Sequence, residues 1–483
     1  MPEPRNLLDA LEGAAAKYPG LPAIIGPDRT LNRQQLVGEA RALGAALAGQ
    51  TAAPVVALYL PMTTAFVSAF FGTLYAGKTV LPMNMLLPVE ELGYILTDSG
   101  ADLIVTLADF KPKLSALPAR VVALTELKPL ADAPALPRPK PDDLATLLYT
   151  SGSTGKPKGV ELTHRNLLVN SLDSLSAMSL TPEHRVLACL PTFHTYAITG
   201  TMLAPLLGGA GVVTLPRFDP ELALATASQH QCTVFIMVPS MYRLVARRQE
   251  TRKLPVPLKI AVSGAEPLPA EVNERFQKVF GIPLHEGYGM TETSPVIAVN
   301  RLDAHRPGTV GKPLAHVAVR IADPETLQEM PRGEVGEIWV RGESVMRGYH
   351  GKPEETAKVL TPDGWLRTGD MGALDADGYL RITGRLREMV KVGGEMVFPA
   401  EVENALQKHP AVFECGVVGA KDEKRGESVK AFVVLIPGKA ATGDELIEHC
   451  RQQLAPYKVP RTIEFRESLP KGPTGKVLRR MLK

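Results

Sequence analysis

Short apolar runs that alternate with longer helical patterns most constrain how this chain can fold. β-branched residues are frequent in runs at 55–60, 103–107, 121–124, 212–215, 234–238 and 258–262. Longer helical patterns lie between several of these runs, for example at 220–229 and 270–280. Strands that alternate with helices are typical of layered α/β folds with parallel sheets. We therefore predict an α/β fold for the part of the chain that precedes residue 315.

Two segments without Asp, Glu, Lys or Arg, at 42–77 and 186–216, are long enough to suggest membrane-spanning helices. Proline and glycine interrupt both segments repeatedly, as in the Gly-Gly-Ala-Gly run at 208–211. We expect these segments to be strand–turn–helix units that are buried inside an α/β core. Peripheral contact with a membrane is left open.

The sequence pattern changes after Ala315. Glycine and proline turns then separate short strands, predicted at 317–321, 335–341 and 378–383, which indicates a small β-rich subdomain. A compact α+β unit of about 95 residues begins after Arg387. We predict a large N-terminal domain at residues 1–385 and a small C-terminal domain at 386–483.

Charge and cysteine content exclude several classes of protein. The 483 residues include 54 basic and 51 acidic side chains, and the net charge of +3 is too small for a protein that coats nucleic acid. The N-terminus lacks the basic and apolar regions of a secretory signal. The cysteines are too far apart for a CxxC zinc or redox motif and are expected to be reduced in the cytoplasm: Cys189, Cys232, Cys415 and Cys450.

The loop at 149–159, Tyr-Thr-Ser-Gly-Ser-Thr-Gly-Lys-Pro-Lys-Gly, carries the strongest chemical signal. Glycines let the backbone approach a ligand closely, hydroxyls donate to phosphate oxygens, and lysines supply positive charge. The spacing is not that of a Walker A motif, because only two residues separate Gly152 from Gly155. The composition predicts a phosphate-binding loop, and a flexible linker is the alternative.

This loop resembles the signature loop of the adenylate-forming superfamily, which includes acyl-CoA synthetases, luciferases and the adenylation domains of peptide synthetases. Further motifs of that family follow in order: Gly-Tyr-Gly-Met-Thr-Glu-Thr at 287–293, Trp-Leu-Arg-Thr-Gly-Asp at 365–370, Gly-Tyr-Leu-Arg-Ile-Thr-Gly-Arg at 378–385 and Pro-Lys-Gly-Pro-Thr-Gly-Lys at 470–476. The resemblance covers nearly the whole chain. It implies a large domain of layered α/β sheets with a β-rich subdomain, and a small mobile α+β lid.

The resemblance also implies a two-step ligase that uses ATP, Mg²⁺ and coenzyme A. Such an enzyme joins a carboxylic acid to the α-phosphate of ATP, releases pyrophosphate, and then forms an acyl thioester. The first step brings together two anions, which repel by about 4 kcal/mol at ~4 Å when the effective dielectric constant is about 20. A cation must offset this repulsion and hold the reactants in line.

By the same resemblance, Lys476 bridges the carboxylate and the α-phosphate, Thr291 hydrogen-bonds that phosphate, and Glu292 positions Mg²⁺. Asp370 accepts the ribose hydroxyls with help from Arg385. The other nucleotide-binding candidates include a tyrosine that lies against adenine, Tyr288, and residues of the signature segments: Thr150, Ser151, Gly152, Ser153, Thr154, Gly155, Lys156, Lys158, Gly264, Ala265, Glu266, Gly287, Gly289 and Met290. Outside such motifs, these residue types more often serve turns, surfaces or packing.

For the second step, the resemblance assigns a hinge to Arg387, although Asp or Lys is more frequent at this position in relatives. Rotation about the hinge would bring the loop with Gly393 and Gly394 over a tunnel for the pantetheine arm of coenzyme A. Paired glycines suit the close passage of a thin chain, and a simple β-turn is the alternative.

The identity of the acid is less constrained. Residues 190–196, Leu-Pro-Thr-Phe-His-Thr-Tyr, resemble the segment of acyl- and aryl-CoA ligases whose histidine lines the acyl pocket, which implies this role for His194. No aspartate lies between Cys189 and Leu203 that could pair with an amino group, which argues against an amino acid substrate. Apolar residues favour a medium- or long-chain fatty acid, although they could equally be core: Phe193, Tyr196, Met202, Met237, Val238 and Met241. Aryl and short branched acids stay open.

Other functions and a homodimer are also left open. An acyl–acyl carrier protein synthetase would use the same phosphopantetheine, and Arg461, Arg479 and Arg480 could dock an acidic carrier. Relatives that stop at the adenylate usually have an added segment in the large domain, and this chain has no obvious one. A non-catalytic nucleotide-binding scaffold is disfavoured because Lys476 and Glu292 are both present.

Overall fold

The computed structural model describes residues 4–128, 138–150, 156–471 and 477–482. It contains two compact units: Met1–Val319 with Val340–Leu366, and Arg320–Trp339 with Arg367–Lys483. Both contain helices and sheets, so the predicted α/β fold is confirmed. The domain boundary at 385–386 stays a prediction.

The first unit contains a nine-stranded sheet among its described residues. Its strands are, in spatial order, Lys312–Pro313, Val296–Val299, His285–Gly289, Ile260–Ser263, Val234–Met237, Arg185–Ala188, Gly211–Thr214, Pro22–Ile25 and Thr30–Asn32. The run from His285–Gly289 to Pro22–Ile25 is parallel, and the outer strands are antiparallel. The carboxyl ends of the parallel strands therefore meet at one edge.

A seven-stranded sheet lies in the same unit within the described ranges. Its strands are, in spatial order, Gly348–Tyr349, Lys158–Thr163, Leu144–Thr150, Thr79–Pro82, Val55–Tyr59, Leu103–Thr106 and Arg120–Ala123. Leu144–Thr150 and Lys158–Thr163 form an antiparallel hairpin in which Thr150 is opposite Lys158. The two described ends of the predicted phosphate-binding loop, Thr150 and Lys158, therefore lie opposite each other in this hairpin.

The α-helices of the first unit are Leu7–Lys17, Arg33–Ala48, Thr64–Tyr75, Val89–Ser99, Lys111–Leu114, His164–Ala177, Ala204–Gly208, Pro220–Gln229, Pro239–Arg252, Ala270–Phe280 and Pro353–Val359. A π-helix at Ala197–Leu203 precedes Ala204–Gly208. The segments at 42–77 and 186–216 contain strands and helices of this buried core, as predicted. Within the described part of the chain, none of the helices has the length and apolar character needed to cross a membrane.

Local capping explains why two helices match their predicted bounds. Pro220–Gln229 begins with proline, and the Asp219 side chain accepts a hydrogen bond from the Leu222 N–H. Ala270–Phe280 ends before Gly281, which has a φ of +77°. These signals lie within a few residues of each helix end and are therefore readable from sequence.

Two further sheets follow in the chain. The first has the strands Val317–Ala322, Gly336–Gly342, Leu366–Leu374 and Leu380–Arg385. The second lies in the unit formed by Arg320–Trp339 and Arg367–Lys483, here called the C-terminal unit, which also contains Asp370 and Arg385 of the first sheet. Its strands are Glu395–Val397, Val390–Val392, Gly426–Leu435, Val412–Asp422 and Thr462–Phe465. Helices Pro399–Gln407 and Gly443–Arg451 contribute Val402, Leu406 and Leu446 to the buried core on this sheet. The four cysteines are buried free thiols.

Candidate active site

The edge where the parallel strands end brings several predicted site segments together. Residues 190–196 follow the strand Arg185–Ala188, and Gly264 follows the strand Ile260–Ser263. Tyr288 belongs to the neighbouring strand His285–Gly289. Ligands of open α/β sheets bind outside the carboxyl ends of the strands, so this edge is the place where a site is expected.

An apolar cavity of about 80 Å³ opens at this edge. It is lined by Ser174, Met178, Leu180, Tyr196, Gly200, Ala204, Ile236, Val262, Gly264, Ala265, Gly287, Tyr288, Gly289, Pro295, Val296 and Val299. The lining therefore contains residues of two predicted nucleotide-binding segments, 264–265 and 287–289, and its other residues are mostly apolar. Of the sequence candidates for an apolar tunnel, Tyr196 lines this cavity, whereas Met237 belongs to a buried core cluster and Met241 packs against that cluster.

His194 is an exposed residue beside this region, and its ring centre lies 4.4 Å from that of Phe193. Although part of the side chain meets solvent, nearby protein atoms desolvate the imidazole and lower its pKa to about 4, so the ring is neutral at pH 7. His194 is not among the described residues that line the cavity. Its role at the acyl pocket stays a prediction.

Thr291 and Glu292 form a short 3-10 turn that contacts two distant segments. The Thr195 hydroxyl donates a hydrogen bond to the Thr291 hydroxyl at 3.2 Å. The Tyr349 hydroxyl donates to Glu292 Oε1 at 2.9 Å, and the Glu292 side chain is buried. Desolvation and the Glu292 charge raise the pKa of Tyr349, so this phenol stays protonated and remains a donor. The glutamate is therefore held in one orientation.

Lys158 lies next to this tyrosine. Its ammonium group is 2.6 Å from Glu355 Oε2 and 5.2 Å from the centre of the Tyr349 ring. Hydrogen bonds from Lys158 and Lys358 lower the pKa of the Glu355 carboxyl to about 2. Lys158 thus forms an ion pair at the start of its strand, opposite Thr150.

The ends of the predicted phosphate loop contact one helix, Val89–Ser99. The Tyr149 hydroxyl donates to Asp98 Oδ2 at 2.7 Å, and the Tyr94 hydroxyl donates to the Pro157 carbonyl at 3.5 Å. Lys156 Nζ lies 5.6 Å from the Tyr94 ring centre. Thr150 is described at the end of its strand, whereas Ser151, Gly152, Ser153, Thr154 and Gly155 lie outside the described residues.

The strand with Tyr288 also supports the loop that begins at Gly264. Glu286 Oε1 accepts a hydrogen bond from the Leu268 N–H at 3.3 Å. Burial raises the pKa of Glu286 to about 7. Ala265 has a φ of +68°, which is uncommon for a residue other than glycine and fixes the backbone between Gly264 and Glu266.

Gly289 permits a close backbone approach beside Tyr288. A Cβ atom at this position would lie 2.0 Å from the Pro295 carbonyl oxygen. The Met290 N–H donates to the same carbonyl oxygen at 3.0 Å. Gly287 and Gly289 both line the cavity. Larger side chains at these positions would extend into the cavity or against the neighbouring backbone.

In the C-terminal unit, Asp370 and Arg385 face each other across two antiparallel strands. Arg385 Nε is 3.1 Å from Asp370 Oδ1, and Asp370 is 6% exposed. Thr368 accepts a hydrogen bond from the Asp370 N–H, and the buried Glu337 carboxylate accepts from the Gly369 N–H and from Arg367. This network fixes the turn that presents Asp370.

Gly393 and Gly394 form the turn between Val390–Val392 and Glu395–Val397. Their φ values are +63° and +92°, as a two-residue type I′ hairpin turn requires. Arg387 is exposed in a short 3-10 turn, Leu386–Glu388. The turn is observed, while passage of pantetheine and the hinge role stay predictions.

Lys476 lies outside the described residues. Of the basic side chains considered for carrier docking, Arg461 pairs with Asp422 at 2.6 Å and Arg479 pairs with Glu403 at 2.6 Å. The side chain of Arg480 lies outside the described part. The two described arginines are therefore engaged within their own unit.

Comparison with known proteins identifies the family. The family model for AMP-binding enzymes matches residues 11–350, and the model for the C-terminal domain of AMP-binding enzymes matches residues 401–476. The first model covers more than half of the chain. The protein belongs to the AMP-binding enzymes, which are the adenylate-forming superfamily that the sequence motifs indicated.

Individual relatives define the class more narrowly. A long-chain-fatty-acid–CoA ligase of Bacillus subtilis (strain 168) is 36% identical, with 100% of this chain and 95% of the relative covered. A feruloyl-CoA synthase of Amycolatopsis sp is 38% identical, with 88% and 87% covered. The o-succinylbenzoate coenzyme A synthetase of Bacillus subtilis, solved with ATP and a magnesium ion, is 30% identical with a TM-score of 0.87, and 98% of each chain is covered. The chain is an AMP-forming acid–CoA ligase.

Sequence reasoning missed several side chains that support the predicted residues. Tyr349 and Glu337 lie outside the quoted motifs. Tyr349 contacts Glu292, and Glu337 contacts the turn before Asp370, because the folded chain brings these distant residues together. Glu286 stands directly before Gly287, so its position next to a signature was visible, but its burial was not. A polar residue inside an apolar strand pattern was the available signal for Glu337.

If Glu292 holds Mg²⁺, as the family motif implies, we predict that Tyr349→Phe raises the Mg²⁺ concentration for half-maximal adenylate formation by about tenfold, because loss of a group that orients a metal ligand has effects of this order. The phenol oxygen is the atom removed, while the ring and its packing remain. Acid-dependent pyrophosphate release measured over a Mg²⁺ titration provides the test. The control is Tyr18→Phe, at a tyrosine distant from Glu292 in the sequence. An unchanged Mg²⁺ requirement in Tyr349→Phe would contradict the proposal that Tyr349 orients Glu292.

We also predict a pH-dependent effect of Glu286→Gln on stability. The pKa of Glu286 rises from an ordinary 4.5 to about 7 in the folded protein, so the wild type loses stability as the pH rises through this interval. The glutamine side chain would keep an acceptor for the Leu268 N–H without a charge. The variant should match the wild type at pH 4.5 and unfold about 2–4 °C higher at pH 8. The measurement is the thermal unfolding temperature of both proteins at both pH values. Glu271→Gln, on an exposed helix face, is the control. If the unfolding temperatures of Glu286→Gln and the wild type differ by the same amount at both pH values, the charge of Glu286 is not buried.

Proposed function

We propose that this ligase activates a medium- or long-chain fatty acid with ATP and transfers the acyl group to coenzyme A. The observation that carries the proposal is the apolar cavity, whose lining continues directly from the predicted adenine-binding residues Gly264, Ala265 and Tyr288. An apolar chain gains free energy when it leaves water for such a lining. The fatty-acid–CoA ligase relative supports the same class of acid.

An aryl acid is the second candidate. The cavity of about 80 Å³ is small, and an engineered protein cavity of about 150 Å³ holds benzene. A ring or a short chain therefore needs less widening of the cavity than a long chain. The feruloyl-CoA synthase relative, at 38% identity, supports this alternative.

In the first step, a carboxylate oxygen attacks the α-phosphorus of ATP, the bond to the β-phosphate oxygen breaks, and pyrophosphate leaves. Lys476 supplies the positive charge between carboxylate and phosphate, and Thr291 donates a hydrogen bond to the phosphate. Magnesium neutralises charge on the phosphates when it is bound. Glu292 suits this ion, because Mg²⁺ is commonly held by one or two carboxylates together with substrate phosphates. Asp370 accepts hydrogen bonds from the ribose.

In the second step, the sulfur of coenzyme A attacks the acyl carbonyl, a C–S bond forms, and the C–O bond to AMP breaks. The thiol proton leaves to solvent and AMP departs with its electron pair. Gly393 and Gly394 lack side chains that would obstruct the pantetheine arm. Arg387 is the hinge at which the C-terminal domain changes its orientation between the steps.

The test is an incubation of the protein with ATP, Mg²⁺ and a panel of straight-chain and aryl carboxylic acids, with coenzyme A, with an acyl carrier protein, or with neither. Mass spectrometry measures pyrophosphate, acyl-adenylates and thioesters. We expect acyl-CoA and AMP, with the highest kcat/KM among acids of medium or long chain. A preference for aryl acids would replace the first candidate by the second. If the thioester forms only on the carrier protein, the activity is that of an acyl–acyl carrier protein synthetase. If no acid causes pyrophosphate release, the proposal is contradicted.

We predict that Lys476→Ala slows adenylate formation by about 10²–10³-fold, because it removes one charge contact to the transition state. Thioester formation from supplied acyl-adenylate should keep its rate. Single-turnover measurements of each half-reaction separate the two effects. Lys439→Ala, at an exposed lysine of the same unit, is the control. An equal loss in both half-reactions would refute the role of Lys476.

A further inference from the structure

The carboxylate of Asp98 contacts the start of the predicted phosphate-binding loop. Tyr149 is the first residue of this loop, and its hydroxyl donates a hydrogen bond to Asp98 Oδ2 at 2.7 Å. Desolvation and this hydrogen bond raise the pKa of the Tyr149 phenol, so the group stays protonated and remains a donor. Asp98 therefore fixes the direction of the Tyr149 side chain where the chain enters the loop.

The same carboxylate is connected to the other end of the loop through Tyr94. Tyr94 precedes Asp98 by four residues on the helix Val89–Ser99, so the two side chains lie on one face. The Tyr94 hydroxyl is 3.2 Å from Asp98 Oδ1 and 3.5 Å from the Pro157 carbonyl oxygen. Lys156 Nζ lies 5.6 Å from the Tyr94 ring centre, within the distance of a cation–π interaction. Asp98 and Tyr94 together contact described residues on both sides of the loop.

A negative charge beside a phosphate-binding loop needs a compensating cation, because like charges repel. Lys352 supplies one: its Nζ is 3.1 Å from Asp98 Oδ1, and the two side chains are 26% and 17% exposed. Partial burial opposes ionisation of Asp98, but hydrogen bonds from Tyr149 and Lys352 lower the pKa of its carboxyl below the usual value. The carboxylate is therefore charged at pH 7, and Lys352 reduces its repulsion of a bound phosphate.

Lys352 belongs to a short segment that also contacts two predicted site residues. Three residues earlier, the Tyr349 hydroxyl donates to Glu292 Oε1 at 2.9 Å. Three residues later, Glu355 Oε2 lies 2.6 Å from Lys158 Nζ. The ion pair with Asp98 therefore connects the loop contacts to the segment that orients the predicted magnesium ligand. Such an outer shell of contacts keeps binding groups in the geometry that their ligand needs.

We propose that Asp98 is a positioning residue that holds the ends of the predicted phosphate-binding loop in place for the phosphates of ATP. It acts through Tyr149 and Tyr94 and does not itself touch the nucleotide. A loop whose ends are held before binding loses less conformational freedom on binding, so this support increases the affinity for ATP. The inference rests on the proposed function, because it needs the loop to bind the phosphates of ATP.

The test compares ATP with adenosine, which has no phosphates. The Kd of ATP in the presence of Mg²⁺ is measured by isothermal titration calorimetry on the full chain, and the Kd of adenosine is measured by competition with ATP. The ratio of the two Kd values is the readout. A general distortion of the nucleotide site weakens both ligands, whereas a displaced phosphate-binding loop weakens only ATP. Thermal unfolding verifies that each variant is folded.

Asp98→Ala should raise the Kd of ATP about tenfold, the worth of one hydrogen bond to a charged group, and leave the Kd of adenosine unchanged. Tyr149→Phe removes the donor of that bond and should shift the ratio in the same direction. Because both changes break the same hydrogen bond, the double variant should bind ATP no more weakly than Asp98→Ala.

Two further variants serve as controls. Asp98→Asn retains an acceptor for the Tyr149 hydroxyl and should bind ATP more tightly than Asp98→Ala. Glu91→Ala, at an exposed carboxylate in the first turn of the same helix, should leave both Kd values unchanged.

Three outcomes would overturn the inference in distinguishable ways. If Asp98→Ala weakens ATP and adenosine equally, Asp98 supports the nucleotide site as a whole and does not position the phosphate-binding loop. If neither Kd changes, the loop does not depend on Asp98, while the proposed function stands. If the wild type binds no ATP, the proposed function fails, and the inference that depends on it fails too.

Discussion

The repulsion between two anions, a carboxylate and the α-phosphate of ATP, is the constraint on which the proposed chemistry depends. Cations and oriented donors must be held where that repulsion occurs, because mobile groups would lose the gain to reorganisation. The structure contains supports of this kind: Tyr349 orients Glu292, Thr195 contacts Thr291, and Glu337 fixes the turn before Asp370. The proposed reacting groups are thus backed by buried hydrogen bonds.

The parallel strands of the nine-stranded sheet bring several predicted site residues to one edge. Strand ends place Gly264, Tyr288 and the segment with Tyr196 at one edge, and the cavity opens there. The wall of that cavity is apolar except for the side chains of Ser174, Tyr196 and Tyr288. One edge of this sheet therefore combines several of the predicted nucleotide-binding residues with an apolar wall.

Much of this could be predicted from the sequence because it depends on local signals. The helices Pro220–Gln229 and Ala270–Phe280 follow from their caps and their apolar periodicity, and the family motifs indicate the ligase class. Long-range contacts could not be predicted, since Tyr349 lies 57 residues from Glu292 in the chain and no local pattern links them.

The central claim, attack of the carboxylate on the α-phosphate, is tested most directly by oxygen labelling. An acid found active in the panel would be labelled with ¹⁸O in both carboxylate oxygens and converted to its CoA thioester with unlabelled ATP. Attack at the α-phosphorus transfers one carboxylate oxygen to the nucleotide, so the account predicts AMP with one ¹⁸O atom and a thioester that retains the other. Unlabelled AMP, or release of ADP and phosphate in place of AMP and pyrophosphate, would contradict it.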